Sequence, residues 1–135
     1  MEHNRCAVLS RDKDVANLYS RVLLEAGYDC PQRSSDVRVT NLRAYAPRVL
    51  MIDVDDMRAD KLESIRQLRF VLPDCAITVV SSNLQGSWAM QCHMAGANGV
   101  LSSGSGARRM IAGLKSAVRT GCFTDPDFAA PSSEC

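Results

Sequence analysis

The chain has no charge of one sign in excess, no cysteine pair at metal spacing and no apolar run long enough to cross a bilayer, and each absence removes a class of function. Its 16 basic residues stand against 15 acidic ones, so the molecule as a whole lacks the cationic footprint that nucleic-acid binding leaves. Contact with DNA is expected only through another domain. The six cysteines, Cys6, Cys30, Cys75, Cys92, Cys122 and Cys135, show no C-x-x-C spacing and no histidine at ligand distance, which argues against a metal site. They read as reduced, small apolar residues of a cytosolic protein. No stretch approaches about 18 consecutive apolar residues, and Met1-Glu2-His3-Asn4-Arg5 leads straight into an apolar strand. A soluble, cytoplasmic protein with no export signal and no membrane partner is therefore expected. No G-x-G-x-x-G follows the first apolar run and no G-x-x-x-x-G-K occurs, so dinucleotide and Walker-type phosphate sites are disfavoured. His3 and His93 have no partner at catalytic or metal spacing and read as surface residues.

What is present is an alternation of strand and helix periods over 135 residues, a length that suits one domain with a real core. Cys6–Leu9 reads as a first strand. A helix capped by Asp12 follows, with Val15, Leu18, Val22 and Leu23 on its apolar face and Gly27 as its stop. A strand over Tyr28–Gln32 and a helix over Asp36–Tyr45 come next, and Pro47 ends that helix before the strand Arg48–Asp53. A third helix places Leu62, Ile65, Leu68 and Leu72 together, and Pro73-Asp74 turns the chain into the strand Ala76–Ser81. A short helix over Gln85–Met94, with Trp88 at its start, precedes the turn Ala95–Gly99 and the strand Val100–Leu101. Trp88 suits either an exposed interaction anchor or a partly buried core residue. The last helix begins after Gly104-Ser105-Gly106 and carries Met110, Ile111, Leu114 and Val118 at helical spacing. Five such units predict an α/β fold, a doubly wound five-stranded parallel sheet covered by helices on both faces.

Two of these strands end on chemistry. The run Arg48-Val49-Leu50-Met51-Ile52 stops on Asp53, and Ile77-Thr78-Val79-Val80 stops on Ser81. An acid and a hydroxyl at the ends of successive buried strands describe a site at the carboxyl edge of a parallel sheet, where open α/β folds bind their ligands. At the end of the first strand, however, Ser10 and Arg11 stand where acids would be needed to hold a metal.

Over residues 5–120 the chain resembles the receiver domain of bacterial response regulators, the CheY-like fold. The resemblance rests on Asp53, on Leu62 after it, on Ser81, and on Ala95-Gly96-Ala97-Asn98-Gly99 before the fifth strand. It implies the strand order 2-1-3-4-5, a phosphoryl-accepting aspartate at Asp53, a switch hydroxyl at Ser81 and a histidine kinase as a partner. By the same correspondence the paired acids fall on Ser10 and Arg11, the phosphate-pairing lysine on Ser103 and the aromatic switch residue on Val100, and all four depart from the pattern. Phosphorylating an aspartate needs a divalent cation against the converging oxygens. Asp53 with a carbonyl at Asp55 is a poor cage, so no metal ligand set and no magnesium requirement are expected. Arg11 is expected near Asp53, as a guanidinium in place of the cation. Asp12, Asp55 and Asp56 offer a displaced metal site as one alternative, and a helix cap with two solvated loop acids as the other.

Ser102-Ser103-Gly104-Ser105-Gly106-Ala107-Arg108-Arg109 leads into the last helix. Ser103, Gly104, Ser105 and Arg108 in it read either as an anion-binding loop or as a plain loop in which Ser105 caps the helix and the arginines are solvated. The last helix carries Arg108, Arg109, Lys115 and Arg119, with no acid between Val100 and Thr120; such a basic face suits an acidic partner surface or open solvent. Residues 1–120 read as the receiver-like domain and 121–135 as a linker or tail. Thr120-Gly121-Cys122-Phe123-Thr124-Asp125-Pro126 resembles the stretch that follows the receiver in NarL/FixJ-type regulators, where a LuxR-like DNA-binding domain comes next. The function expected is a phosphorylation-independent signalling and dimerisation module, the regulatory half of a transcription factor and not an enzyme, that forms a homodimer. A ligand-sensing module for a small anionic metabolite and a conventional phospho-accepting receiver are the alternatives.

Overall fold

The computed structural model describes residues 4–29, 31–34, 39–58 and 60–128. Its strands are β1 (Cys6–Leu9), β2 (Gln32–Ser34), β3 (Val49–Asp53), β4 (Ala76–Ser81), β5 (Gly99–Ser102) and β6 (Phe123–Thr124). Its helices are α1 (Lys13–Glu25), α2 (Val39–Tyr45), α3 (Lys61–Val71), α4 (Gly86–Ala95) and α5 (Ala107–Thr120). All strand pairs are parallel, in the order β2-β1-β3-β4-β5-β6. The sheet thus has the predicted order and one strand more than the predicted five.

The inner strands are continuous apolar runs because helices cover both of their faces. Successive side chains in a strand point to opposite faces, and this divides the core into two clusters. Leu50, Ile52, Val79 and Val100 pack with Leu42, Ile65 and Leu68 on the side of α2, α3 and α4. Val8, Met51, Val80 and Leu101 pack with Leu23 and Leu114 on the side of α1 and α5. Met51, Ile65, Leu23 and Leu114 are fully buried, and each such side chain contributes about 1.5–3 kcal/mol of transfer free energy.

The helix ends follow from local chemistry. The Asp12 carboxylate accepts from Asp14 N at 2.8 Å and Val15 N at 3.2 Å, satisfying two otherwise orphaned donors of α1. Asp60 does the same for α3 through Glu63 N. The apolar face of α1 is rotated from the expected one: Tyr19 and Ala16 face the sheet with Val22 and Leu23, while Leu18 is exposed. β2 lies further along the chain than expected, with Tyr28 and Asp29 in the preceding loop; Cys30 and the first residues of the expected second helix, Asp36–Arg38, lie outside the described residues. The reason is that β2 is an edge strand, Gln32-Arg33-Ser34, whose pairing with Ala7–Leu9 rests on backbone bonds and needs no apolar run.

The largest departure lies in the stretch expected to be linker. Phe123–Thr124 adds as a sixth strand to β5, with Phe123 N donating to Asn98 O and Asp125 N to Val100 O. Asp125 and Phe128 are buried, so residues 121–128 pack on the domain. Cys6, Cys75 and Cys92 are buried thiols and Cys122 is exposed. Burial pushes the Cys75 and Cys92 thiols up to about 12, the former despite Arg69 nearby, which keeps both protonated and unreactive.

Candidate functional site

The carboxyl edge of the sheet gathers the ends of β1, β3, β4 and β5. Register sets the faces: Asp53 pairs with Val80 and so continues the row that faces α1 and α5, whereas Ser81 continues the row of Ile77 and Val79 that faces α3 and α4. The two residues share an edge but leave the sheet on opposite sides.

Asp53 is buried, with 6% of its surface exposed. Ser10 Oγ donates to Asp53 Oδ2 at 2.9 Å. Burial raises the Asp53 carboxyl above its ordinary value; the Ser10 hydroxyl and the Asp55 backbone work in the opposite direction, while the charges of Asp55 and Asp56 add to the rise. Tyr19, buried in α1, lies close enough to feel this charge: its phenol is raised first by burial and then by Asp53 and Asp55. The sequence reading missed Tyr19, whose only signal is its place three residues after Ala16 on the inner stripe of α1.

Arg11 does not take the role expected of it. It is exposed and pairs with none of the described residues, and the causes acting on Asp53 do not include it. An arginine gains more from hydration in the loop after β1 than from entering a seat the short Ser10 side chain already fills. Asp55 and Asp56 are exposed, and the Asp55 carboxylate accepts from Ser82 N at 3.0 and 3.1 Å, joining the β3–α3 loop to the β4–α4 loop. Asp12 is spent on the α1 cap and Asp55 on the Ser82 amide. Among the described residues no three His, Cys, Asp or Glu side chains converge on one point.

Ser81 Oγ accepts from Asn83 N at 3.0 Å and from Trp88 Nε1 at 3.0 Å. Trp88 is half-buried against the α2–α4 cluster, so the partly buried alternative holds, with its polar tip tied to the end of β4. Ser103 N donates to Ser81 O at 3.0 Å, Gly104 N to Ser102 Oγ at 3.3 Å and Ser105 N to Ser102 O at 3.2 Å. The amides of residues 103–105 are thus bonded to Ser81 and Ser102. Ser105 is not the cap: its hydroxyl donates to Ser102 O at 2.9 Å, and Gly106 occupies the cap position without a side-chain bond. Arg108 is exposed, but Arg109 is not free, because it pairs with Asp125 and Asp127. The acids missing between Val100 and Thr120 come from beyond the helix.

His93 is also engaged. Its Nδ1 lies 3.0 Å from Ala97 O and its Nε2 lies 2.8 Å from Thr124 Oγ1. A carbonyl only accepts, so Nδ1 carries the proton and Nε2 of the neutral ring accepts from the threonine hydroxyl. At the opposite edge of the sheet Arg69 donates to the carbonyls of Gly96, Leu72, Pro73 and Cys75. This guanidinium is a structural tie between α3 and the turn before β5.

No protein-family model and no characterised protein sequence matches the chain. Its fold is nevertheless that of several solved structures. It is similar to a two-component response regulator of the LuxR family from Aurantimonas sp. SI85-9A1, at a TM-score of 0.82 and 18% identity, over 94% of this chain and 93% of that one. It is similar to a response regulator from Thermotoga maritima, at 0.77 and 16%, over 88% and 100%. It is similar to a CheY-like receiver domain protein from Methanospirillum hungatei JF-1, at 0.75 and 12%, over 87% and 95%. The chain has the CheY-like receiver fold.

Proposed function

We propose that this receiver-fold chain is a signalling module that works without phosphoryl transfer, the regulatory half of a cytoplasmic transcription factor and not an enzyme. The observation that carries the reading is the Ser10 hydroxyl donated onto a buried Asp53. A side chain that can give one hydrogen bond occupies the place where a receiver would need acids to hold a cation. Among the described residues no cationic side chain acts on Asp53, and a second negative charge on it would face Asp55 and Asp56 unscreened. Ser103 cannot offer the positive charge that a phosphoryl group would require.

The similarity to a LuxR-family regulator and the resemblance of Thr120–Pro126 to a NarL/FixJ tail support a DNA-binding partner domain, with a histidine kinase or another signalling protein upstream. Output then depends on association, and a homodimer through the outer sides of α1 and α5 is the form it takes. Leu18 and Leu24 are exposed on α1, and Arg108, Lys115 and Arg119 are exposed on α5. The ligand-sensing alternative finds the amides of residues 103–105 already bonded and is left with those at the start of α5.

The test is intact-mass and peptide mass spectrometry after incubation with a small acyl phosphodonor and magnesium. The expected result is no added phosphoryl mass on Asp53. A clear stoichiometric adduct there would restore the conventional receiver reading.

A further inference from the structure

The segment after α5 is built into the sheet more thoroughly than a linker requires. Phe123 and Phe128 clamp the edge from both sides: Phe123 packs with the α1–α5 cluster and Phe128 is buried in the α2–α4 cluster. The seat for the first ring is cut into α5. A Cβ added at Gly113 would lie 2.7 Å from both Leu101 Cδ2 and Phe123 Cε2, so the helix has no side chain at the one place the ring needs room. Between the rings, Asp125 is buried, accepts from Arg109 and also holds Asp127 N at 2.8 Å. Thr124 meets His93 of α4. The segment therefore touches α4, β5 and α5 at once.

The attachment is also one that can be undone. The strand is two residues long, and it is entered through Gly121, the left-handed stop of α5 at φ 83°. The tying groups sit at the rim: Arg109 and Asp127 are 47% and 39% exposed, where water and salt compete for them. Strand addition of this kind takes its affinity from main-chain bonds and its selectivity from alternate side-chain seats. The seats here ask for an aromatic, an acid facing Arg109 and a second aromatic.

We propose that residues 121–128 are an autoinhibitory strap, a detachable strand that occupies the free edge of β5 and is displaced by an extended acidic segment of another protein carrying the same aromatic–acid–aromatic pattern. Arg109 at the start of α5, which pairs with Asp125 and Asp127 of the strap, favours that acidic occupant over a neutral or basic one. The inference goes beyond the signalling reading above and stands without it, since it involves neither Asp53 nor the α1–α5 dimer.

The experiment uses the full chain and a fluorescein-labelled peptide of residues 121–128 with serine in place of Cys122, read by anisotropy, with hydrogen exchange at the Phe123 and Asp125 amides measured in parallel. Because a tethered strap competes at an effective concentration on the order of millimolar, wild type is expected to bind weakly. Phe128→Ala is expected to bind at least about tenfold more tightly, and adding Arg109→Gln to it to lose at least about fivefold. Both amides should exchange faster in Phe128→Ala and faster still with peptide, which takes Asn98 O and Val100 O from the tethered strap. Amides that stay as protected as in wild type would show a permanent strand, and fast exchange without saturable binding would show an edge that accepts no partner; either result overturns the proposal. Should Phe128→Ala lower the stability of the whole fold, Thr124→Ala with Asp127→Asn, both at exposed positions, carries the same comparison.

Discussion

Ser10 Oγ stands 2.9 Å from Asp53 Oδ2, and this one hydrogen bond is what the end of β1 contributes to a buried carboxylate. It lowers the pKa of a group that burial raises, but burial is the larger effect. An acid whose pKa is raised on folding binds its proton more readily folded than unfolded. Its contribution to stability therefore falls as pH climbs from the ordinary carboxylate range through the raised value, and is constant above it.

Asp53→Asn removes that charge and keeps an oxygen for Ser10 to donate to. The variant should melt higher than wild type at neutral pH and above, with the advantage shrinking as pH drops into the carboxylate range. Thermal melts at a series of pH values check this. An Asn variant that melts lower at neutral pH would mean the charge is held by a partner, against the solvent-facing placement of Arg11.

Ser81 and Trp88 should prove energetically coupled. Ser81→Ala leaves the indole N–H and the Asn83 amide without their acceptor, at about 1–2 kcal/mol, and Trp88→Phe removes the donor alone. In a double-mutant cycle by chemical denaturation the coupling should be about 0.5–1.5 kcal/mol, and additive effects would show that the bond does not hold in solution.

Two substitutions in the α5 interface should have opposite signs. Thr78 is fully buried and its Oγ1 has no hydrogen-bond partner among the described residues, so Thr78→Val should stabilise by up to about 1 kcal/mol as the unpaired hydroxyl is removed. Gly113→Ala would ordinarily gain about 1 kcal/mol of helix propensity. Here the new methyl meets Leu101 and Phe123 at 2.7 Å, and overpacking at about 1–3 kcal/mol should outweigh that gain. Denaturant midpoints at constant m decide both.

The dimer should form without a phosphodonor and weaken with salt, because Arg108, Lys115 and Arg119 are exposed charges. Light scattering at high protein concentration should show dimer in low salt and monomer once the Debye length falls to about 3 Å. Arg108→Glu with Arg119→Glu should abolish it. A monomer under low-salt conditions would remove the association step from the proposed function.

The parallel α/β frame, the ends of β1, β3 and β4, the Asp12 cap and the placing of Asp53 and Ser81 at one edge all follow from residues adjacent in the chain. A continuous apolar run requires two covered faces, and a carboxylate at a helix start satisfies amides within three residues of it. The remaining features depend on groups that meet across the sheet. Chain position alone puts Arg11 beside Asp53, yet its direction depends on whether the space there is already taken, and Ser10 takes it. Arg109 read as a free cation because its acids lie beyond the helix, on a segment that turns back. β6 is too short to show any period. It exists because β5 has an open edge, Gly113 leaves room for one ring and the α2–α4 cluster holds the other, conditions set by the packed domain and absent from the local sequence.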